Sequence, residues 1–309
     1  MPLPENIKFP SVSALIVNYK SVSHCERCIH SLLQQRGVHL EIIVVDNASG
    51  DGSVTRLQIA FPTQVKLIAS DENLGFGRAN NLAFKYAQGE YLLIINPDVQ
   101  FVGDNNLAQM ICGFNQQTNI GVLGPDIIEP RRNNRVLPKK TYPLQHKIKA
   151  DFSDLTGQYA WILGACMLFP RHVYKAVGGF DEDFFLYGED ADICLRIRQA
   201  GFAVHWFPDV KVEHWAGASE ENAAEYAMRM RKKRGMYQFC LKHYPYQKMQ
   251  PILLNTLRRC RLNLAILNVR RKYKFAKNLN EIDARIARNQ AEIDVVLQIL
   301  EENNCDYFL

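Results

Sequence analysis

Residues 184–197 read FFLYGEDADICLRI and set Glu189, Asp190 and Asp192 within four positions, just after Phe184, Phe185, Leu186 and Tyr187. Acids in the first turn of a helix complement its free N–H groups and the positive end of its dipole. A carboxylate held among apolar walls and like charges also gains a raised pKa and can accept a proton. Both uses suit the same stretch. Asp46 ends the run EIIVVD (Glu41–Asp46) and can accept a hydrogen bond from a ring N–H of uracil, thymine or guanine. Asp98 closes NPD (Asn96–Asp98), where a divalent cation can bridge a carboxylate and diphosphate oxygens. An Asn-Pro-Asp turn is structurally sufficient by itself. His214 lies in VEHWAGAS (Val212–Ser219) just past a strand. A histidine there is more often packed than ligating, but with Asp98 it makes a mixed N/O pair suited to Mn²⁺ and tolerable for Mg²⁺.

These residues need elements that bring them together. VSALIVNY (Val12–Tyr19), EIIVVD (Glu41–Asp46), VKLIAS (Val65–Ser70) and YLLIINPD (Tyr91–Asp98) are short apolar runs. The segments His24–Gln35 and Gly77–Gln88 between them have helical character. Strands apolar on both faces belong in a covered parallel sheet built of βαβ units. In such sheets the ligand crevice lies beyond the carboxyl ends of the strands. Those ends carry Asn18 and Tyr19, Asp46 and Asn47, and Asn96 to Asp98. NLGFGRANN (Asn73–Asn81) has Gly75-x-Gly77 before a helix but Asn80 in place of a third glycine, which excludes a dinucleotide fingerprint. Its glycines and Arg78 at a helix start still favour a phosphate or sugar.

Farther on, Ile120–Ile128 predicts a strand, and EPRRNNRVLPKKTYP a long basic loop. The apolar run Tyr159–Phe169 and a short helix near Arg171–Val177 precede the acidic helix, which runs to about Ala200. FAVHWFP and VKVEHW read as two strands, and the chain is helical after Ala218.

The 309 residues suffice for one large α/β domain with an appendage. The formal charge is only +5, yet Lys248–Lys277 holds nine Lys or Arg and no acid. Such a segment implies an anionic partner: phospholipid headgroups, a phosphorylated substrate or nucleic acid. No nucleic-acid recognition motif accompanies it. No apolar run reaches transmembrane length, and MPLPENIKFP lacks a signal-peptide core. The eight scattered cysteines fit a reducing cytoplasm, and Cys25-x-x-Cys28, with no second pair, reads as structural. Leu279, Ile282, Ile286, Asn289, Ile293, Val296 and Leu300 form a heptad seam. It predicts self-association through residues 278–309, with a terminal helix packed on its own domain as the alternative. The predicted division is 1–245 for the α/β domain and 246–309 for a helical extension, a basic amphipathic segment followed by the heptad helix.

The ordered motifs SALIVNY, EIIVVDNASGDGS, NLGFGRANN, IINPDV, GGFDEDFFLYGEDADICLRIRQAGF and HWAGAS resemble those of family-2 inverting glycosyltransferases. The resemblance covers residues 10–245 and is narrowest toward the bacterial rhamnosyltransferase branch. It implies a GT-A-like nucleotide-sugar-binding fold, with a mostly parallel central sheet flanked by helices and a C-terminal helical extension. It further implies transfer of a sugar, L-rhamnose from dTDP-rhamnose first, to a hydroxyl of a saccharide acceptor in cell-surface polysaccharide or O-antigen synthesis. UDP-sugars and GDP-mannose are the alternative donors. By the same resemblance Asp46 contacts the donor base, with Asn18 and Tyr19 lining that pocket. Gly75, Arg78 and Asn81 sit by the nucleotide or donor sugar, and Gly164 and Ala165 leave room for the sugar ring. Asp98 and His214 hold a Mg²⁺ or Mn²⁺ ion on the diphosphate. The single acid of NPD makes that metal site thinner than a two-acid one. Asp190 is the general base, with Glu189 beside it.

Acceptors of this class are often lipid-linked saccharides at the cytoplasmic membrane face. LRRCRLNLAILNVRRKYKFAK (Leu257–Lys277) suits such an anionic surface as well as it suits a solvated basic helix. A nucleotidyltransferase would want a basic triphosphate loop, and NYKSVSH offers only Lys20. A non-catalytic binding or scaffold protein would use the heptad instead, leaving Asp46, Asp98, Asp190 and His214 without a joint purpose.

Overall fold

The computed structural model describes residues 9–116, 119–215, 225–273 and 279–303. Gly217 and Ser219 of the HWAGAS motif, and the last four residues of the basic segment, lie outside them. The chain divides into two compact units, the first comprising Met1–Tyr142, Phe152–Phe185 and Glu189–Ser219.

In chain order the first unit holds β1 (Ser11–Asn18), α1 (Val22–Leu33), β2 (His39–Asp46), α2 (Ser53–Ala60), β3 (Val65–Ala69), α3 (Gly75–Phe84), β4 (Tyr91–Ile95), β5 (Val99–Phe101), α4 (Asn106–Gln116), β6 (Ile120–Glu129) and β7 (Asn134–Val136). Next comes α5 (Gln145–Ile148), which belongs to the second unit. The first unit then resumes with β8 (Cys166–Pro170), α6 (Arg171–Ala176), α7 (Glu189–Gln199) and β9 (Ala203–His214).

The sheet order is β3-β2-β1-β4-β8-β6-β9-β5, with β7 on β6. It is parallel from β3 to β4, as the apolar runs predict. Beyond β4 it is mixed, since β8 runs antiparallel to both β4 and β6, and β9 parallel to β6. The two-residue period sorts the strands onto two cores. Ala14, Ile16, Ile42, Val44, Leu93 and Ile95 pack on one face with Cys25, Cys28, Ile29 and Leu32 of α1. Leu15, Ile43, Val45, Leu92 and Ile94 pack on the other with Ala79 and Ala83 of α3 and Ile193 and Ile197 of α7. Each fully buried aliphatic side chain contributes about 1.5–3 kcal/mol. Cys25 and Cys28 are buried thiols whose desolvation raises their pKa, consistent with a structural role.

FAVHWFP and VKVEHW form one strand rather than the two expected. Its register on β6 shifts between Phe207↔Pro125 and Lys211↔Asp126. Pro208, which has no N–H to offer the ladder, sits in that irregular stretch.

The second unit comprises Pro143–Asp151, Leu186–Gly188 and Glu220–Leu309. It therefore begins before the residue 246 read from the sequence. Its long helices are α8 (Glu225–His243), α9 (Tyr246–Lys272) and α10 (Leu279–Glu302). Gly235 of α8 lies so close to the Tyr187 carbonyl that no Cβ would fit. Helix α10 packs on α8 and α9, and the seam residues Ile282, Ile293, Val296 and Leu300 are buried there. These four seam positions are thus covered within the chain, as in the packed terminal helix given as the alternative, while Leu279 is exposed and Ile286 half-buried. Asn289 is not a buried register-setting residue, since its Nδ2 donates to the Arg285 carbonyl on an exposed part of α10 at 2.7 Å. Among the described residues no helix is long and apolar enough to cross a membrane.

Candidate active site

Parallel register places the ends of β1 and β2 side by side, with Asn18 opposite Asp46. Asp46 is buried, and its carboxylate accepts from Asn18 Nδ2 (2.8 Å), Ser49 N (3.0 Å) and Ser49 Oγ (2.8 Å). Asn18 is fully buried behind it, and Ser21 Oγ donates to its Oδ1. Asn18 therefore positions Asp46, while the half-buried Tyr19 is the residue of that pair with surface to offer a ligand. Ser49, which sequence reasoning missed, also accepts from the Lys20 backbone N–H at 3.0 Å. Its signal was the Ser-Gly-Asp-Gly-Ser turn after Asp46.

Asn47 ties this end to α3, because its amide donates to Asn73 Oδ1 and the Gly75 carbonyl and accepts from Leu74 N. Gly75 has φ +78°, and a Cβ there would lie 2.3 Å from the Phe185 carbonyl oxygen. That close approach requires glycine. Arg78 and Asn81 both reach the turn that precedes the acidic helix. Arg78 Nε donates to the Glu182 carbonyl, and Asn81 bonds Phe180 N, Phe180 O, Glu182 and the Tyr174 hydroxyl. The Asn81 amide is engaged by these four contacts and braces the turn. The guanidinium of Arg78 is exposed.

Antiparallel pairing of β5 with β9 sets Val99 opposite His214. Trp215 N donates to the Asp98 carbonyl at 2.9 Å, and His214 Nε2 lies 3.3 Å from Asp98 Oδ1. Burial works to raise the Asp98 carboxyl, but the His214 hydrogen bond and charge outweigh it and hold the pKa below the ordinary value. His214 Nδ1 is buried without a hydrogen-bond partner among the described residues. A carboxylate oxygen and an imidazole nitrogen side by side, with one ring nitrogen left over, fit a divalent cation of the Mn²⁺ or Mg²⁺ type. Among the described residues no third His, Cys, Asp or Glu joins them. Remaining ligands would have to be substrate oxygens and water.

Antiparallel pairing of β8 with β4 carries Gly164 and Ala165 to the same end of the sheet. Asn96 N donates to the Ala165 carbonyl at 2.9 Å, and Gly164 N donates to Asp190 Oδ2 at 3.2 Å. Ala165 is buried at the strand end. Asp190 Oδ1 also accepts from Ala191 N at 2.8 Å. Burial raises the Asp190 carboxyl, and the backbone N–H groups of Gly164 and Ala191 only partly offset it. Like charge is not what lifts Asp190, contrary to the sequence expectation. It acts on Glu189, raised first by burial and then by Asp190 and Asp192. Glu189 Oε2 is buried and has no partner among the described residues. Asp192 is fully buried and takes two nitrogens of Arg196, at 2.8 and 2.7 Å. Phe184 is buried, while Phe185 is half exposed and screens little. The three acids of the opening stretch therefore differ: one ion-paired, one buried with an oxygen that has no partner among the described residues, one poised on a backbone N–H.

A concavity of about 890 Å³ lies at the opposite strand ends among Pro10, Tyr91, Ile111, Pro170, Arg171 and His172. None of Asp46, Asp98, Asp190 and His214 is among its lining residues.

The carboxyl ends of the sheet thus gather Asp46 and Asp98 with His214, and the raised Asp190 carboxylate lies in the first turn of α7 beside Gly164. Residues 13–178, more than half of the chain, match the model "Glycosyl transferase family 2", and the chain belongs to that family. Residues 111–273 match "Glycosyl transferase family group 2". The chain is 28% identical over 228 residues to an N-acetylglucosaminyl-diphospho-decaprenol L-rhamnosyltransferase of Mycobacterium tuberculosis, covering 64% of this chain and 74% of that one. It is 26% identical over 235 residues to the rhamnosyltransferase WbbL of Escherichia coli, covering 66% and 83%. Among solved structures, the mannosyltransferase PcManGT of Pyrobaculum calidifontis, in complex with GDP-Man and Mn²⁺, superposes with a TM-score of 0.56 at 19% identity. That match covers 98% of this chain and 77% of the other. The likeness supports a GT-A-like fold with a C-terminal helical region.

Proposed function

We propose that this glycosyltransferase moves L-rhamnose from dTDP-rhamnose to a hydroxyl of a lipid-linked saccharide, with inversion at the anomeric carbon. The observation that carries the chemistry is the Asp190 carboxylate, raised by burial and docked on Gly164 N–H next to Ala165. The donor sugar rests on the two rhamnosyltransferase relatives.

Asp46 receives the ring N–H of the base, held by Asn18 and Ser49 in a fixed orientation, and Tyr19 borders that pocket. Gly75 and Arg78 line the approach to the nucleotide, and Asn81 keeps the turn at Phe180 in place. Gly164 and Ala165 leave space for the sugar ring. Asp98 and His214 would hold a Mg²⁺ or Mn²⁺ ion, which supplies charge stabilisation to the departing diphosphate. Asp190 takes the proton of the acceptor hydroxyl as its oxygen bonds to the anomeric carbon and the carbon–phosphate oxygen bond breaks. Glu189, neutral at its buried position, keeps a second negative charge away from that proton transfer.

The test is a donor screen with the purified full chain. dTDP-rhamnose, UDP-sugars and GDP-mannose are compared by thermal shift and nucleotide release, with Mg²⁺, Mn²⁺ or chelator. Stabilisation by dTDP-rhamnose above the others is expected. Asp190→Asn should abolish transfer to a lipid-diphosphate saccharide and keep donor binding. An active, well-folded Asp190→Asn protein, or preference for another donor, overturns the corresponding half of the reading.

A further inference from the structure

Helix α9 has two apolar faces. Met249, Leu253, Leu257, Cys260 and Leu267 are buried within the helical unit. At 3.6 residues per turn, Leu262, Ile266, Val269 and Tyr273 follow one another at steps of four, three and four on the opposite side. They are 64%, 44%, 54% and 58% exposed. Arg258, Arg259 and Arg270, all exposed, border this stripe on the helical wheel, and Arg261 and Lys272 lie one step farther round. No acid occurs anywhere in residues 248–277. Arg271, which projects toward the packed side, pairs instead with Asp283 of α10 at 2.9 Å.

An aligned row of exposed large apolar side chains marks an interaction surface. A second copy meeting this face would set Arg258, Arg259 and Arg270 against their own equivalents, which opposes association. An anionic bilayer meets both halves of the pattern. Its acyl boundary accepts the stripe, its phosphates accept the guanidinium groups, and the arginine stems lie along apolar surface while their heads reach out. We propose that α9 docks on an anionic phospholipid surface, with Leu262, Ile266, Val269 and Tyr273 at the headgroup–acyl boundary and Arg258, Arg259 and Arg270 on lipid phosphates. The proposal stands on the helical unit alone and goes beyond the glycosyl-transfer reading.

The full chain is floated with vesicles of phosphatidylcholine, or of equal parts phosphatidylcholine and phosphatidylglycerol. Binding is expected only to the anionic vesicles and should weaken as salt rises. Leu262→Ser with Ile266→Ser should lower partitioning by about tenfold or more, and Arg258→Gln with Arg270→Gln should remove the preference for phosphatidylglycerol. Both pairs are exposed, so thermal midpoint and donor binding should match the parent protein. Equal binding to neutral vesicles, no binding, or parent-like partitioning of the Leu262/Ile266 variant overturns the proposal. So does a dimer, seen by mass measurement, that the same variant dissolves. Donor binding is read separately in solution, so failure of the rhamnosyl reading leaves the vesicle result to be judged by itself.

Discussion

Asp190 Oδ2 accepts the backbone N–H of Gly164 at 3.2 Å, so the proposed base is held by the loop proposed to make room for the sugar. A Cβ on Gly164 would lie 3.3 Å from the Asp190 Cβ, tight enough to push one of them aside. Gly164→Ala should therefore lower kcat by about 10- to 100-fold, because small displacements of a reacting group are costly. Thermal stability and donor affinity should change little. Unchanged kcat in steady-state assays would separate the loop from the base.

Burial holds Asp190 above the ordinary aspartate range, and only its ionised form can take a proton. The rate should therefore fall as pH drops through this raised value, giving an acid limb displaced upward from an ordinary aspartate near 3.9. A profile of kcat/KM against pH checks this, and a limb at the ordinary position contradicts it.

Glu189 supplies a stability counterpart. Its carboxyl is raised by burial and by Asp190 and Asp192. The folded state thus favours the neutral form. That contribution is fully present below the ordinary glutamate range and is lost as pH rises through the folded value. Glu189→Gln mimics the neutral acid, so its advantage in thermal midpoint over the parent should grow from pH 5 to pH 9. An advantage independent of pH would mean that the carboxyl is not titrating in the fold.

Asp98 and His214 lie 3.3 Å apart with no third ligand among the described residues. Asp98→Asn should weaken donor binding by roughly tenfold or more and abolish the response to chelator, as expected for loss of one of two protein ligands. Titration calorimetry with and without chelator reads both. An equal chelator response in parent and variant would place the cation elsewhere.

Gly75 combines φ +78° with a close approach to the Phe185 carbonyl, whereas Gly50, at φ +65°, has open space around its missing Cβ. Gly75→Ala should destabilise by about 1–3 kcal/mol and Gly50→Ala by less. Urea midpoints that rank the two the other way would remove the steric argument.

What the sequence determined by itself is the sheet half from β1 to β4 and the residues at its carboxyl ends. Strands buried on both faces must be apolar throughout, and their termini are where Asn18, Asp46 and Asp98 change character. The acidic cluster before α7 was equally legible, but not its division of labour. That division came from partners far along the chain or on the next turn: Arg196 for Asp192, Gly164 for Asp190, none for Glu189 Oε2 among the described residues. The family resemblance paired His214 with Asp98, and the tertiary structure supplied the means, β5–β9 pairing between residues more than a hundred positions apart. The tertiary structure also turned Asn81 into a brace for the Phe180 turn and packed α10, with Ile282, Ile293, Val296 and Leu300 of the heptad seam buried, on α8 and α9. Periodicity states that a side chain will be buried, because that follows from local geometry. It carries no information on which distant surface does the burying, and that choice separates a seam between copies from a core within one chain.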